Sequence, residues 1–247
     1  MYTRLRQYIS SSGLLRHSAT LILGTLIAQL IPILFQPLLR RMFSAEEFGI
    51  AALYITAVGM LVAIANLKYE SAIVLPEADL DAQQIVSGGV LISGMLSLVF
   101  WVLIIMNEAT IIQQFNLDAH AIWYLHLLPL SVFLVSSFQC FNFYLIRKKA
   151  FKEAARNKIY RRTSEVLTQT SSGLFKWQSG LLLGNLIGDW INFIGGFHQA
   201  KKKGFLFRFE LKKIAIILKQ YWQFPVYQAV PSLLNTISLT LPVFIIH

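Results

Sequence analysis

Runs of apolar residues long enough to cross a bilayer recur along this 247-residue chain, separated by short polar links. The first, Leu21 to Leu39, holds no charge and is closed by Arg40 and Arg41. A hydrocarbon core about 30 Å thick needs roughly 20 helical residues, and this run supplies them. Thr25, Gln29, Pro32, Gln36 and Pro37 interrupt it. They predict a proline-broken helix that faces other helices or a cavity rather than lipid on every side. Further spans are expected at residues 49–67, 85–106 and 121–146. Ser44 with Glu46 and Glu47 predicts the start of the second helix, where carboxylates meet the positive end of the dipole. Gly88, Gly89 and Gly94 permit close helix approach in the third, and Trp123 and Tyr124 open the fourth at interfacial depth.

The segment after Arg162 is harder to read, because residues 163–178 are rich in Thr, Ser and Gln. Topology decides it. Basic loops at 147–162 and from Lys201 onward belong on one side, so an even number of crossings must separate them, yet only 180–197 is strongly apolar. Residues 163–178 are therefore expected to form a polar fifth span lining a wet cavity, the alternative being a re-entrant hairpin. After a basic cytoplasmic loop at 201–223, a seventh span covers about 224–246 and contains Pro225, Pro231 and Pro242. The pattern is that of an all-α polytopic membrane protein.

Composition agrees: 55% hydrophobic residues and a mean hydropathy of +0.57 exclude a soluble domain. The net charge of +10 would suggest nucleic acid in a soluble chain. Here the charges alternate with the spans instead, and nineteen of the 22 Lys and Arg fall on one side of the expected topology. Arg4, Arg6, Arg16, Lys68, Arg147–Arg162 and Lys201–Lys219 make up that side, so the N-terminus is placed in the cytoplasm. The loop Asn107–His120, with Glu108 and Asp118 and no basic residue, is expected outside. No signal or transit peptide is expected. The single cysteine, Cys140, and His126 are read as packing residues, and Arg41 as an anchor or loop clamp.

Three stretches resemble, in order, the oligosaccharide flippases of the polysaccharide biosynthesis family, within the multidrug/oligosaccharidyl-lipid/polysaccharide exporter superfamily. Residues Pro37 to Gly49 (PLLRRMFSAEEFG) are similar to its first signature, and Lys68 to Pro76 (KYESAIVLP) to its second. Phe224-Pro225, Ser232 to Asn235 and Leu241-Pro242 resemble its seventh helix. Ala45 stands where proline is usual, and Lys68 where arginine is commoner, keeping charge but losing a bidentate phosphate contact. The resemblance implies two six-helix lobes with substrate between them. On that reading residues 1–200 are the N-terminal lobe, 201–223 the linking loop and 224–247 the first helix of a second lobe, so the chain looks like a partial flippase. A faint repeat, Thr25–Phe35 over Asn235–Ile245 on Pro32 and Pro242, fits this.

The implied function is translocation of undecaprenyl-pyrophosphate-linked oligosaccharide, for O-antigen or another surface polysaccharide, across the bacterial inner membrane. It requires a polar, cationic cavity, membrane lipids and no cofactor, with a polysaccharide polymerase as a possible partner. Asn185, Asp189 and Asn192 recur on one face of the sixth span beside the ridge of Gly180, Gly184 and Gly188. Asp189, deep in an apolar run, reads as a sugar contact or proton-coupling site, or as a hydrogen-bonded packing group. Glu165, Thr168, Gln169 and Ser172 share a face of the fifth span, with Arg161 one turn below, as a cavity wall or a helix contact. Lys68 and Glu70 lie where a lipid pyrophosphate would enter, or form a local surface ion pair. Rival readings are a drug or cation exporter on the same fold and a non-transporting scaffold of a polysaccharide assembly complex. An enzyme is weakest, since no nucleophile, metal set or phosphate loop stands out.

Overall fold

The computed structural model describes residues 2–114 and 122–246. The expected outer-loop residues 115–120, Asp118 among them, lie outside the described residues, as do the side chains of Arg4, Arg6, Arg16 and Pro242. The helices are α1 (Tyr2–Met42), α2 (Ala45–Ala65), α3 (Tyr69–Ala72), α4 (Asp79–Gln114), α5 (Ile122–Arg147), α6 (Phe151–Leu174), α7 (Gly180–Lys202), α8 (Leu211–Gln220) and α9 (Val230–Ile246). Among the described residues there is no strand. Among the described residues, four helices are long and apolar enough to cross a membrane: α1 over Ala19–Met42, α2, α4 and α5. The protein is an all-α polytopic membrane protein.

Local sequence signals account for several boundaries. Ser44 caps α2: its hydroxyl accepts from the Glu47 N–H, and the Glu47 carboxylate accepts from the Ser44 N–H at 2.7 Å, a reciprocal capping box. Contrary to expectation, α1 is not broken at its prolines but runs continuously through Pro32 and Pro37. At the start of α9 the helix does loosen, into a wide π-helical turn at Pro225–Ala229. Pro231 follows it, and a proline leaves the carbonyl one turn behind without a donor.

Packing is organised around three close pairs. Helix α1 runs parallel to α6: Gly24 lies against Ala155 at one end, and Met42 and Phe43 lie against Gly173 at the other. Gly24 and Ala28, one turn apart and both buried, form the small-residue stripe that permits this. Helix α7 runs antiparallel to α6, with Gly180 on Ser172, Gly184 on Glu165 and Gln169, and Gly188 on Arg161. Helix α4 packs on α5, where Gly89 receives Cys140, which is fully buried as expected. Helix α2 lies between α5 and α9, tied to α5 by a buried 2.8 Å hydrogen bond between Tyr54 and Ser131.

The outward surface is apolar. Leu23, Ile33 and Leu34 on α1, and Met95, Leu98 and Met106 on α4, are all exposed, as expected of faces solvated by lipid rather than water.

Two expected loops are largely helical. Residues 151–162, expected as the most basic loop, are the first half of α6. They lie beside the apolar span of α1, with the Lys158 ammonium donating to Thr25 Oγ1 at 3.0 Å. The run of charges defeats a hydropathy reading, while Ala154 and Ala155, buried against α1, supply the packing face. The linking segment 201–223 contains α8, whose Ile214 and Leu218 cover Gly88 of α4.

Candidate functional site

The most polar part of the interior is the interface of α6 and α7. On α6 the stripe Asn157, Arg161, Glu165 and Gln169 repeats every four residues, so it stays on one face. Asn185, Asp189, Asn192 and Gln199 form the matching stripe on α7. The glycine ridge lets the two meet, because a Cβ on Gly184 would lie 2.8 Å from the Glu165 carbonyl oxygen and one on Gly188 3.2 Å from that of Arg161.

Polar contacts then occur at successive levels of the interface. Gln199 Nε2 donates to Asn157 Oδ1 at 2.8 Å. Arg161 Nε donates to Asp189 Oδ1 at 3.0 Å, and Nη2 of the same guanidinium lies 2.7 Å from that oxygen. Arg162 Nη1 donates to both oxygens of Glu165, at 2.8 and 3.0 Å. Gln169 Nε2 and Asn185 Nδ2 both donate to the Leu181 carbonyl oxygen, at 3.1 and 3.0 Å. Where α5 meets the start of α7, Tyr124 donates to Ser179 Oγ at 2.7 Å.

Depth makes the charged level significant. Arg161 lies ten residues into α6, about 15 Å along a helix roughly 36 Å long. Asp189 is similarly near the middle of α7. The carboxylates are buried, with side-chain exposures of 5% for Asp189 and 7% for Glu165. Their arginine partners are not, at 27% and 34%. The pairs thus neutralise the acids inside the bundle and leave guanidinium edges at its surface near mid-helix. Asn192 Oδ1, Asn157 Nδ2 and Gln199 Oε1 are buried and have no hydrogen-bond partner, so the interface has spare polar capacity.

Of the residues singled out in the sequence, Arg161, Glu165, Gln169, Asn185, Asp189 and Asn192 therefore come together on α6 and α7. Lys68 and Glu70 do not join them. They sit at the start of α3, which packs chiefly on α4 and α5. Lys68 adopts a left-handed backbone (φ 61°), and its ammonium lies 3.7 Å from Glu70 Oε1. Glu70 is no surface acid: its side chain is 5% exposed and its Oε2 has no partner. Burial pushes its carboxyl above the ordinary range, and Lys68 only partly offsets this.

Sequence reasoning missed Asn157 and Gln199, although both continue the stripes it found, and Arg162, whose partner lies one turn along the same helix. It also missed Arg147, which donates to the carbonyl oxygens of Pro76 at 2.5 Å and Glu77 at 3.1 Å and to Asp79 Oδ1 at 3.2 Å. This one guanidinium closes the link that follows the Lys68–Pro76 stretch. His126 lies 3.8 Å from Glu108, so it is an ion-pair candidate and not only a packing residue. Among the described residues no group of three or more His, Cys, Asp or Glu is placed to hold a metal.

A protein-family model described as "Polysaccharide biosynthesis protein" matches residues 14–247. No curated protein and no solved structure matches the chain. The chain belongs to the polysaccharide biosynthesis protein family.

Proposed function

We propose that this chain forms one lobe of a two-lobed carrier that moves an undecaprenyl-pyrophosphate-linked oligosaccharide from the cytoplasmic to the periplasmic leaflet of the bacterial inner membrane. The observation that carries the reading is the charged level on α6 and α7. Arg161 and Arg162 keep a quarter to a third of their side chains exposed near the middle of α6, and arginines cost several kcal/mol at membrane depth, so a crossing helix would hold them only for a purpose. A guanidinium in that setting can donate to the phosphate oxygens of a lipid pyrophosphate, and the amides of the same interface can exchange hydrogen bonds with sugar hydroxyls. In this reading the N-terminus is cytoplasmic, Lys68 and Glu70 flank the entrance, and no covalent bond is made or broken. Membrane lipids surround the lobe, and a polysaccharide polymerase would receive the translocated unit.

The acids do not favour a cation exporter. Asp189 and Glu165 are both occupied by arginine, which leaves the exposed edge of the site positive.

The test is complementation of cells in which the gene is disrupted, read as long surface polymer and as repeat units retained in the cytoplasmic leaflet. Arg162→Gln, made in the full reading frame and present at normal amount on an immunoblot, is expected to restore less than about a tenth of the polymer. Full restoration would remove the cationic level from the mechanism.

A further inference from the structure

Where α8 crosses the start of α4, the surface holds a pocket of about 330 Å³. Its polar wall is Asp81 and Gln84 of α4, Arg208 and Glu210 ahead of α8, and Lys213 on its first turn. Leu80 and Ile216 stand beside it, 53% and 69% exposed. The segment between α7 and α8 is held against α4 by two hydrogen bonds, from Gln83 Nε2 to the Gly204 carbonyl oxygen at 3.0 Å and from the Arg208 N–H to Ser87 Oγ at 3.3 Å. This is the end of the bundle where α2, α5 and α7 also finish, so the pocket lies at the boundary between apolar spans and their polar links whichever way the chain is inserted.

The lining is neither cationic nor acidic. Glu210 bonds Lys213 at 2.5 Å and lies 3.9 Å from Arg208, while Asp81 forms no ion pair among the described residues. Arg208 Nε and Gln84 Oε1 have no hydrogen-bond partner, and rotation of the Gln84 amide presents either a donor or an acceptor. The space would otherwise take on the order of ten waters at about 30 Å³ each. A group that suits this lining is charge-balanced: it can donate to Asp81 and Gln84 on α4 and accept from Arg208 and Lys213, which share Glu210 on the α8 side, and it can continue into apolar chains beside Leu80 and Ile216.

We propose that this pocket binds the headgroup of an aminophospholipid. The phosphate accepts from Arg208 and Lys213, and the primary ammonium donates to Asp81 and Gln84, with the acyl chains leaving over Leu80 and Ile216. Two carboxylates in the wall disfavour a purely anionic headgroup or a pyrophosphate. A choline headgroup carries no N–H and leaves Asp81 and Gln84 without a donor. The lipid would fasten the stretch from Lys203 to α8 onto α4 at the membrane surface, a role separate from the carrier reading above.

The experiment is native mass spectrometry of the full chain extracted from vesicles containing equal amounts of phosphatidylethanolamine, phosphatidylcholine and phosphatidylglycerol. Phosphatidylethanolamine should be retained at least about fivefold over each of the others. Asp81→Asn, an exposed site whose replacement does not disturb the core, should abolish the preference over phosphatidylcholine, and Arg208→Gln should lower retention of phosphatidylethanolamine by a similar factor. Equal retention of the ethanolamine and choline lipids, a preference for phosphatidylglycerol, or an unchanged pattern in Asp81→Asn would overturn the proposal.

Discussion

Arg161 and Asp189, 28 residues apart in sequence, are joined side by side across α6 and α7, with Nη2 2.7 Å from Oδ1. Removing one member of a buried pair strands the other, whereas removing both removes the problem. Arg161→Gln, which leaves the buried Asp189 carboxylate without its partner, is therefore expected to lose about 3 kcal/mol, on the order of 5–10 °C in Tm. The double variant Arg161→Gln/Asp189→Asn should recover much of that loss. A double variant less stable than either single one would show that the two side chains are not energetically coupled.

The glycines of α7 make a contrasting prediction with those of α2. A Cβ on Gly184 meets the Gln169 side chain and the Glu165 carbonyl, while one on Gly59 meets nothing within 4 Å. Gly184→Leu should force α6 and α7 apart at a cost of about 2–3 kcal/mol. Gly59→Ala should be neutral or stabilising by roughly 0.5–1 kcal/mol, because alanine restricts the unfolded chain. Melting curves of the two variants in the same detergent test this directly.

Glu70 gives a pH dependence of definite sign. Its carboxyl is raised by burial, so the folded protein keeps this proton to higher pH than the unfolded chain does. The contribution of Glu70 to stability therefore falls as pH rises from the ordinary carboxylate value of about 4.3 through its raised value. The Tm of Glu70→Gln minus that of the parent should be larger at pH 7.5 than at pH 4. A difference that stays constant or shrinks with rising pH would place the carboxylate in a favourable, fully paired setting.

Topology is open to thiol labelling. Lys176 and Lys202 flank α7, a helix of 23 residues and so about 35 Å long, and both side chains are exposed. With Cys140 fully buried and silent, Lys176→Cys should react with an impermeant reagent from outside and Lys202→Cys only after the membrane is opened. Reaction of both from one side would make α6 and α7 a re-entrant hairpin.

The four apolar spans and the α2 cap were legible because each signal is local: an uninterrupted apolar run, or Ser44 three residues before Glu47. The start of α6 was not. Lys158, Arg161, Arg162 and Glu165 count against a span one by one; Glu165 is matched by Arg162 on the same helix, and only the partner helix shows that Arg161 meets Asp189. The same masking hid α8, where Lys212, Lys213 and Lys219 surround the apolar positions Ile214, Ile217 and Leu218 that rest on the core. On α7 the polar face was readable from spacing alone, but which charge Asp189 would meet depends on an antiparallel register that no single helix encodes.

The register of α6 on α7 bears on how the chain enters the lipid during synthesis. Each unpaired charge at the centre of a lone helix costs about 2.5–3.5 kcal/mol to insert. Helix α6 carries Lys158, Arg161 and Arg162 against the single nearby acid Glu165. It gains its second acid only when Asp189 has emerged, most of a helix later. On the carrier reading proposed above, in which α6 and α7 cross the membrane, α6 should therefore wait beside the insertion machinery, shielded along Gly24 and Ala28 of α1, until α7 arrives, and the two should partition into the bilayer as one hairpin.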